Sequence, residues 1–236
     1  MRFECVSRTD VGLKRKINED SLLAEPDRGL WAVADGMGGH DAGEVASAMV
    51  TDALRQLPSA ADLDQLADAA VEAVKDVNRR LIELARSGGQ RTIGTTVVGL
   101  AIADGSFRCF WMGDSRAYRL RDGAIERLSH DHSLVQNLID AGMLKPEEAE
   151  AHENANLITR AVGVAENCEV DVAKGDARPG DQFLLASDGL TRLVPDDEIA
   201  AELKRGPPAE AADRLIDTVL ARGASDNVSL VIVRLP

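Results

Sequence analysis

Apolar residues along this chain alternate between short unbroken runs and helical spacing. Near the N-terminus, FECVSRTDVG, SLLAE and LWAVA read as strands, the third of them buried. From Asp41 the spacing turns helical. Val45, Met49, Ala53 and Leu57 recur four apart until Pro58, with Asp41 and Glu44 at the end where the helix dipole favours anions. A second helix is predicted over about 62–86, with Leu63, Leu66, Ala70, Val74, Val77, Leu81 and Leu84 on one stripe and Ser87-Gly88-Gly89 as its stop. Strands return in TTVVGLAIA, FRCFWM and AYRLR, the last turning through Arg121-Asp122-Gly123 into AIERL. Residues 133–163 are polar, rich in Glu and Ala and helical in pieces, a surface excursion. QFLLAS is then a strand, 196–204 and 208–222 are helices, and VSLVIVRL is a closing strand.

Consecutive strands with no helix between them cannot make parallel crossovers. The pattern therefore predicts an α+β fold of antiparallel sheets with helices packed outside. No repeat, low-complexity tract or linker interrupts it, so residues 1–236 are expected to form a single domain. The net charge of −13 lacks the basic footprint of a nucleic-acid binder. No stretch approaches the ~20 apolar residues of a membrane span, and the N-terminus lacks a signal-peptide core. Cys5, Cys109 and Cys168 are odd in number, widely spaced and read as reduced thiols, two or three of them buried, in a cytoplasmic protein.

The chemistry lies in the acids. Asp35-Gly36 follows LWAVA, Asp188-Gly189 follows FLLAS, Asn18-Glu19-Asp20 precedes SLLAE, and Asp226-Asn227 precedes VSLVIVRL; Gly113-Asp114-Ser115 lies between two further strands. One Asp-Gly after a strand is ordinary turn chemistry. Several acids at strand ends, most without a basic neighbour in sequence, would repel one another if they converged on one sheet edge. Convergence would need cations, and oxygen donors without Cys or paired His select Mg²⁺ or Mn²⁺.

The ordered motifs RKINED (15–20), DGMGGH (35–40), GDSR (113–116), SDGL (187–190) and SDNVS (225–229) resemble those of the metal-dependent, type 2C protein phosphatases, above all compact bacterial members. The resemblance implies a four-layer αββα sandwich: two central antiparallel sheets flanked by helices, with a binuclear Mn²⁺/Mg²⁺ centre at one end. It implies that Asp35 bridges two tight metals, that Glu19 and the Gly36 carbonyl hold one, and that Asp188 and Asp226 hold the other. Asp114, with Asp188, would support a third, weaker metal. Asp20 would orient metal-bound water, and Arg15 would receive the substrate phosphate through its two-point fork. Met37 stands directly after the first Asp-Gly, where some members place a histidine; His40, three residues on, or a metal-bound water is the candidate acid for the leaving alcohol.

The implied reaction is hydrolysis of phosphoserine and phosphothreonine esters in phosphoproteins, by direct attack of a water bridging two metals. The implied setting is a bacterial signalling pathway in which a monomeric, cytoplasmic phosphatase opposes a serine/threonine kinase, with no nucleic acid or membrane as partner. Residues 133–160 would form a flap that selects substrates. His130-Asp131-His132 is read as local hydrogen bonding, because alternate residues of an extended segment face opposite sides. Gly36-Met37-Gly38-Gly39 superficially matches a dinucleotide fingerprint, but Asp35 would face the pyrophosphate. A catalytically inactive phosphatase-fold sensor or scaffold should have lost a ligand, and Glu19, Asp35, Asp188 and Asp226 are all present.

Overall fold

Strand β3 (Leu30–Gly38) shows how the layers are made. Leu30, Ala32 and Ala34 pack to one side and Trp31 and Val33 to the other, all fully buried. A strand apolar on both faces must be covered on both, and that requirement sets the architecture. The structure is a computed structural model that describes residues 3–38, 42–88, 92–149 and 151–236. His40, Asp41 and Gly89, expected as a candidate acid, a helix start and a helix stop, lie outside the described residues.

One sheet orders its strands β1 (Glu4–Asp10), β11 (Val228–Arg234), β10 (Gln182–Ala186), β7 (Arg116–Arg121) and β8 (Ala124–Arg127). The other orders β2 (Asp20–Glu25), β3, β5 (Val97–Ala103), β6 (Ser106–Met112) and β9 (Asp171–Asp176), with β4 (Ile93–Thr95) paired to the far end of β3. Every pairing in both sheets is antiparallel. Trp31, Val33, Leu100, Phe107 and Cys109 of one sheet meet Ala117, Phe183, Leu185, Val231 and Val233 of the other, forming the seam between them. Cys5 and Cys168 are only half-buried, so one thiol of the three is in the interior.

Helices α1 (Ala42–Arg55) and α2 (Leu63–Ser87) cover the outer face of the sheet that holds β3. Asp62 caps α2, its side chain accepting from the Gln65 amide at 2.8 Å. The expected stripe on α2 faces the sheet except at its end, where Leu84 is 42% exposed. On α1 the buried stripe is Ala46, Val50 and Leu54 rather than the expected one: Val45 is 45% exposed and Met49, Ala53 and Leu57 sit at its margin. The two stripes differ by one residue, about 100° around the helix, and small Ala46 allows close approach to the sheet. On the other outer face lie α4 (Asp188–Thr191), α5 (Asp196–Lys204) and α6 (Pro208–Ala221). The result is the four-layer αββα sandwich expected of the family.

Between β8 and β9, residues 133–160 carry the short helix α3 (Leu134–Asp140) and a run of turns, tied back by isolated bridges Ser133–Ile158 and Thr95–Val162. Strand β9, DVAKGD, is absent from the hydrophobic pattern because only alternate positions are sheltered and they include Asp171 and Gly175. No helix among the described residues is long and apolar enough to cross a membrane.

Candidate metal centre

Strand register places the first two acids. Asp20 opens β2 directly opposite Asp35 in β3. Asp35 does not lie past the end of its strand, as the Asp-Gly pair suggested: β3 continues through Gly36 to Gly38 and pairs with β4. Its backbone is pinned there. The Thr96 amide and Thr95 hydroxyl donate to its carbonyl at 2.8 and 2.9 Å, and its own amide donates to Thr96 Oγ1 at 3.2 Å.

Two glycines let Glu19 approach. A Cβ at Gly36 would lie 2.1 Å from the Gly43 carbonyl oxygen and 2.6 Å from that of Glu19; one at Gly43 would lie 2.3 Å from Glu19 Oε1. The Glu19 carboxyl thus rests over the start of α1, the positive end of the helix dipole. Asn227 fixes the Glu19 loop: its Oδ1 accepts from the Glu19 amide at 2.8 Å, and its Nδ2 donates to the carbonyls of Val11 and Ile17 at 2.9 and 3.1 Å. The Ser47 hydroxyl donates to the Glu19 carbonyl at 2.6 Å.

The opposite sheet brings three more acids to the same end. Asp188 follows β10 as the first residue of α4, Asp226 precedes β11, and Asp114 sits in the crossover from β6 to β7 that links the two sheets. The sheets are joined at this end through Ser187, whose hydroxyl donates to Asp20 Oδ2 at 2.9 Å. Gly189 is required here, since a Cβ would fall 1.9 Å from the Asn227 carbonyl oxygen.

The electrostatics follow from this crowding. Burial, then the charges of Asp188, Asp20, Asp114 and Asp226, pushes the Asp35 carboxyl well above its ordinary range. Burial raises Asp20 to about 7 against the opposing hydrogen bonds of Ser229 and Ser187. Burial and Asp188 raise Asp114 to about 7 despite Arg192. Asp188 is also raised, by burial first. Such a cluster favours protons or cations.

Arginines supply part of that charge. Arg15 donates to Asp226 Oδ2 at 2.8 Å, a contact that raises the guanidinium's own pKa. Arg192 lies 2.7 Å from Asp188 Oδ2 and 3.3 Å from Asp114 Oδ2. Arg192 is the member of the site that spacing did not single out. Four residues beyond Asp188 in T-R-L, it reads as an ordinary surface cation, and its second acid comes from the distant 113–116 turn. Arg116, the sequence neighbour of Asp114, instead pairs with Asp131 at 2.7 Å. No group of three acids, histidines or cysteines among the described residues stands at ligand spacing.

The donor set still suits hard divalent cations. It is all oxygen, and Asp20 Oδ1 and Asp114 Oδ1 are buried without a hydrogen-bond partner, a costly condition that a cation relieves. Beside Asp114 and Asp188 a cavity of about 240 Å³ opens toward the 133–160 segment, with Ser133, Ala149 and Asn156 in its wall. The histidine pair serves separate local roles. His130 Nε2 meets Asp140 at 2.7 Å, while His132 accepts from the Gly113 amide at Nδ1 and meets Asp171 at Nε2, both at 3.1 Å.

Two antiparallel sheets deliver carboxylates to one shared edge, an all-oxygen donor set of the kind that hard cations take in phosphoryl chemistry. The chain belongs to the protein phosphatase 2C family, whose sequence profile matches residues 14–227. It is 40% identical to the serine/threonine protein phosphatase PstP of Mycobacterium tuberculosis over 229 residues, covering 96% of this chain but 44% of that protein. Among solved structures, it aligns with PppA, described as a key regulatory component of T6SS in Pseudomonas aeruginosa. That match has a TM-score of 0.93 and 41% identity, and covers 99% of this chain and 98% of that one. The catalytic domain of PstP in complex with two manganese ions aligns with a TM-score of 0.87 and 38% identity, covering 98% and 97% of the two chains.

Proposed function

We propose that this chain is a metal-dependent phosphoprotein phosphatase hydrolysing phosphoserine and phosphothreonine esters. The observation that carries the reading is the meeting of Asp20 and Asp35 from one sheet with Asp188 and Asp226 from the other, in a family whose PstP member binds two manganese ions. Glu19, Asp35 and the Gly36 carbonyl would hold one Mn²⁺ or Mg²⁺; Asp35, Asp188 and Asp226 would hold the other; Asp114 with Asp188 would take a third, weaker one. Bound there, the cations supply charge neutralisation for the phosphoryl group and activate water for in-line attack.

The chain's own residues do the rest. Arg15, half exposed at the rim, exchanges Asp226 for two oxygens of the incoming phosphate. Asp20, fixed by Ser187, presents its unpartnered Oδ1 to hold and orient a water in the interior of the site. Asn227 keeps the Glu19 loop against the strand ends. His40 remains the candidate proton donor to the leaving alcohol.

Residues 1–236 act as one catalytic domain in which the 133–160 segment beside the cavity selects substrates as a flap. The setting is bacterial signalling in the cytoplasm, with a serine/threonine kinase as the opposing enzyme and the chain acting as a monomer without membrane or nucleic-acid partners. The regulatory part that PppA plays supports this assignment. Turnover of a phosphothreonine peptide that EDTA abolishes and Mn²⁺ restores is the expected result. Full turnover in verified metal-free protein refutes the reading.

A further inference from the structure

Arg192 makes three side-chain contacts at once. One guanidinium nitrogen spans Asp188 Oδ2 and Asp114 Oδ2, at 2.7 and 3.3 Å, and another donates to Asn156 Oδ1 in the 133–160 segment. Placement is local in origin: Arg192 caps α4 four residues after Asp188, so the side chain returns over that carboxylate. The two acids share this one guanidinium, and Arg116 adds a second positive charge that is felt by Asp188. Asp114 Oδ1, the oxygen that Arg192 does not reach, is buried and unpartnered, so the guanidinium satisfies the pair only in part. A divalent ion can take the Asp114 oxygen that the guanidinium leaves unpartnered together with an oxygen of Asp188. At 34% side-chain exposure, Arg192 can swing into water when displaced.

We propose that Arg192 is a built-in competitor for the cation position of Asp114 and Asp188, and that through Asn156 it links occupancy of that position to the placement of the 133–160 segment. This inference rests on the reading of Asp114 and Asp188 as cation ligands. A cation on their oxygens repels the guanidinium, and Arg192 then gives up Asn156 together with the acids. Around Asn156 the Leu157 amide bonds locally to the Asn154 carbonyl, the Leu157 carbonyl accepts from the Leu134 amide at 2.8 Å, and the Thr159 amide donates to the His132 carbonyl at 2.7 Å. Beyond Arg192, the backbone on the C-terminal side is therefore what holds this turn. Filling the position thus frees the wall of the cavity where a peptide substrate would lie.

The test is Mn²⁺ titration calorimetry on the full chain, with limited proteolysis of residues 141–157 over the same Mn²⁺ range. The chains compared are wild type, Arg192→Gln, Arg192→Lys and Asp114→Asn, each shown to be folded by circular dichroism. Arg192→Gln is expected to bind the weak ion about tenfold more tightly, the order for a charge-assisted contact that no longer has to be broken. Arg192→Lys should fall between it and wild type. Without Mn²⁺ the segment should be cut faster in Arg192→Gln, and in wild type cutting should accelerate only as the weak position fills. If Asp114→Asn abolishes the weak ion while Arg192→Gln leaves its affinity unchanged or lower, the inference falls and the ligand reading stands. If Asp114→Asn changes no binding event, both fall. Cutting in wild type that ignores Mn²⁺ overturns the link to the segment.

Discussion

Asp20 and Asp35 stand directly across the β2–β3 ladder from each other, and burial holds both carboxyls above the ordinary range. Cross-strand neighbours of like charge are destabilising in any sheet. Here the repulsion is compounded by Asp188 and Asp226 arriving from the other sheet. The position is held by the fold around it and is suited to a cation, so function and stability oppose each other at this pair.

Asp35→Asn separates the two. Removing the most crowded charge should raise the melting temperature of EDTA-treated protein by a few degrees, since about 1 kcal/mol moves a domain of this size by roughly 2–4 °C. The same change should lower Mn²⁺-dependent turnover at least about a hundredfold and weaken both tight ions, because a shared ligand serves two sites. A melting scan and a metal titration on one preparation check both halves.

The raised carboxyls also fix a pH dependence. Asp20 and Asp114 rise to about 7 in the folded chain, so between their unfolded value of 3.8 and about 7 the folded state holds protons that the unfolded state has lost. Their stabilising contribution is complete below that window and is lost as pH rises through it. Lowered acids such as Asp171 and Glu202 change in the opposite sense, but below their ordinary values. Metal-depleted protein should therefore melt lower at pH 7.5 than at pH 5.5, and Mn²⁺ should recover the difference at pH 7.5. Differential scanning fluorimetry across that range would show it; a flat profile in EDTA would contradict it.

Arg15→Ala should raise KM for a phosphothreonine peptide roughly tenfold to a hundredfold, the loss of a charge-assisted contact of about 1.5–3 kcal/mol. Arg15→Lys should recover part of it. Because Arg15 also holds Asp226 at 2.8 Å, metal content must be measured in each variant. An unchanged KM at full metal loading would return Arg15 to a solvated basic rim.

Asp114→Ala should lower turnover while two tight ions still bind. Its carboxyl is buried in the β6–β7 crossover, and the acid that acts on it most strongly is Asp188. Calorimetry showing loss of both tight sites would make Asp114 part of the core instead.

Much of this fold was legible because its strands are apolar runs bounded by Gly and Asp, and because α2 carries a long uninterrupted stripe. Strand β9 was not, since edge strands need shelter only on alternate positions. The α1 stripe was misplaced by one residue because Ala46 is as deeply buried as Val50, while the larger Val45 stays exposed. Among the site residues, the acids carried their own signal as carboxylates at strand ends. Arg192 carried none: its role depends on the meeting of α4 with the Asp114 turn, and no local spacing encodes that meeting. Asn227 was visible only as the companion of Asp226, although it organises the Glu19 loop.

The seam between the sheets has a bearing on chemistry that takes place far from it. Phe107 meets Phe183 edge-on across that seam, with ring centroids 5.2 Å apart, and Trp31 and Val231 lie in the same layer. Because the acids come from both sheets, the sandwich behaves like a pair of jaws whose alignment is set at the hinge. A shift of one sheet against the other would change the bite at the acidic end while leaving every residue there untouched. Affinity for the ions is in this sense a gauge of interior packing.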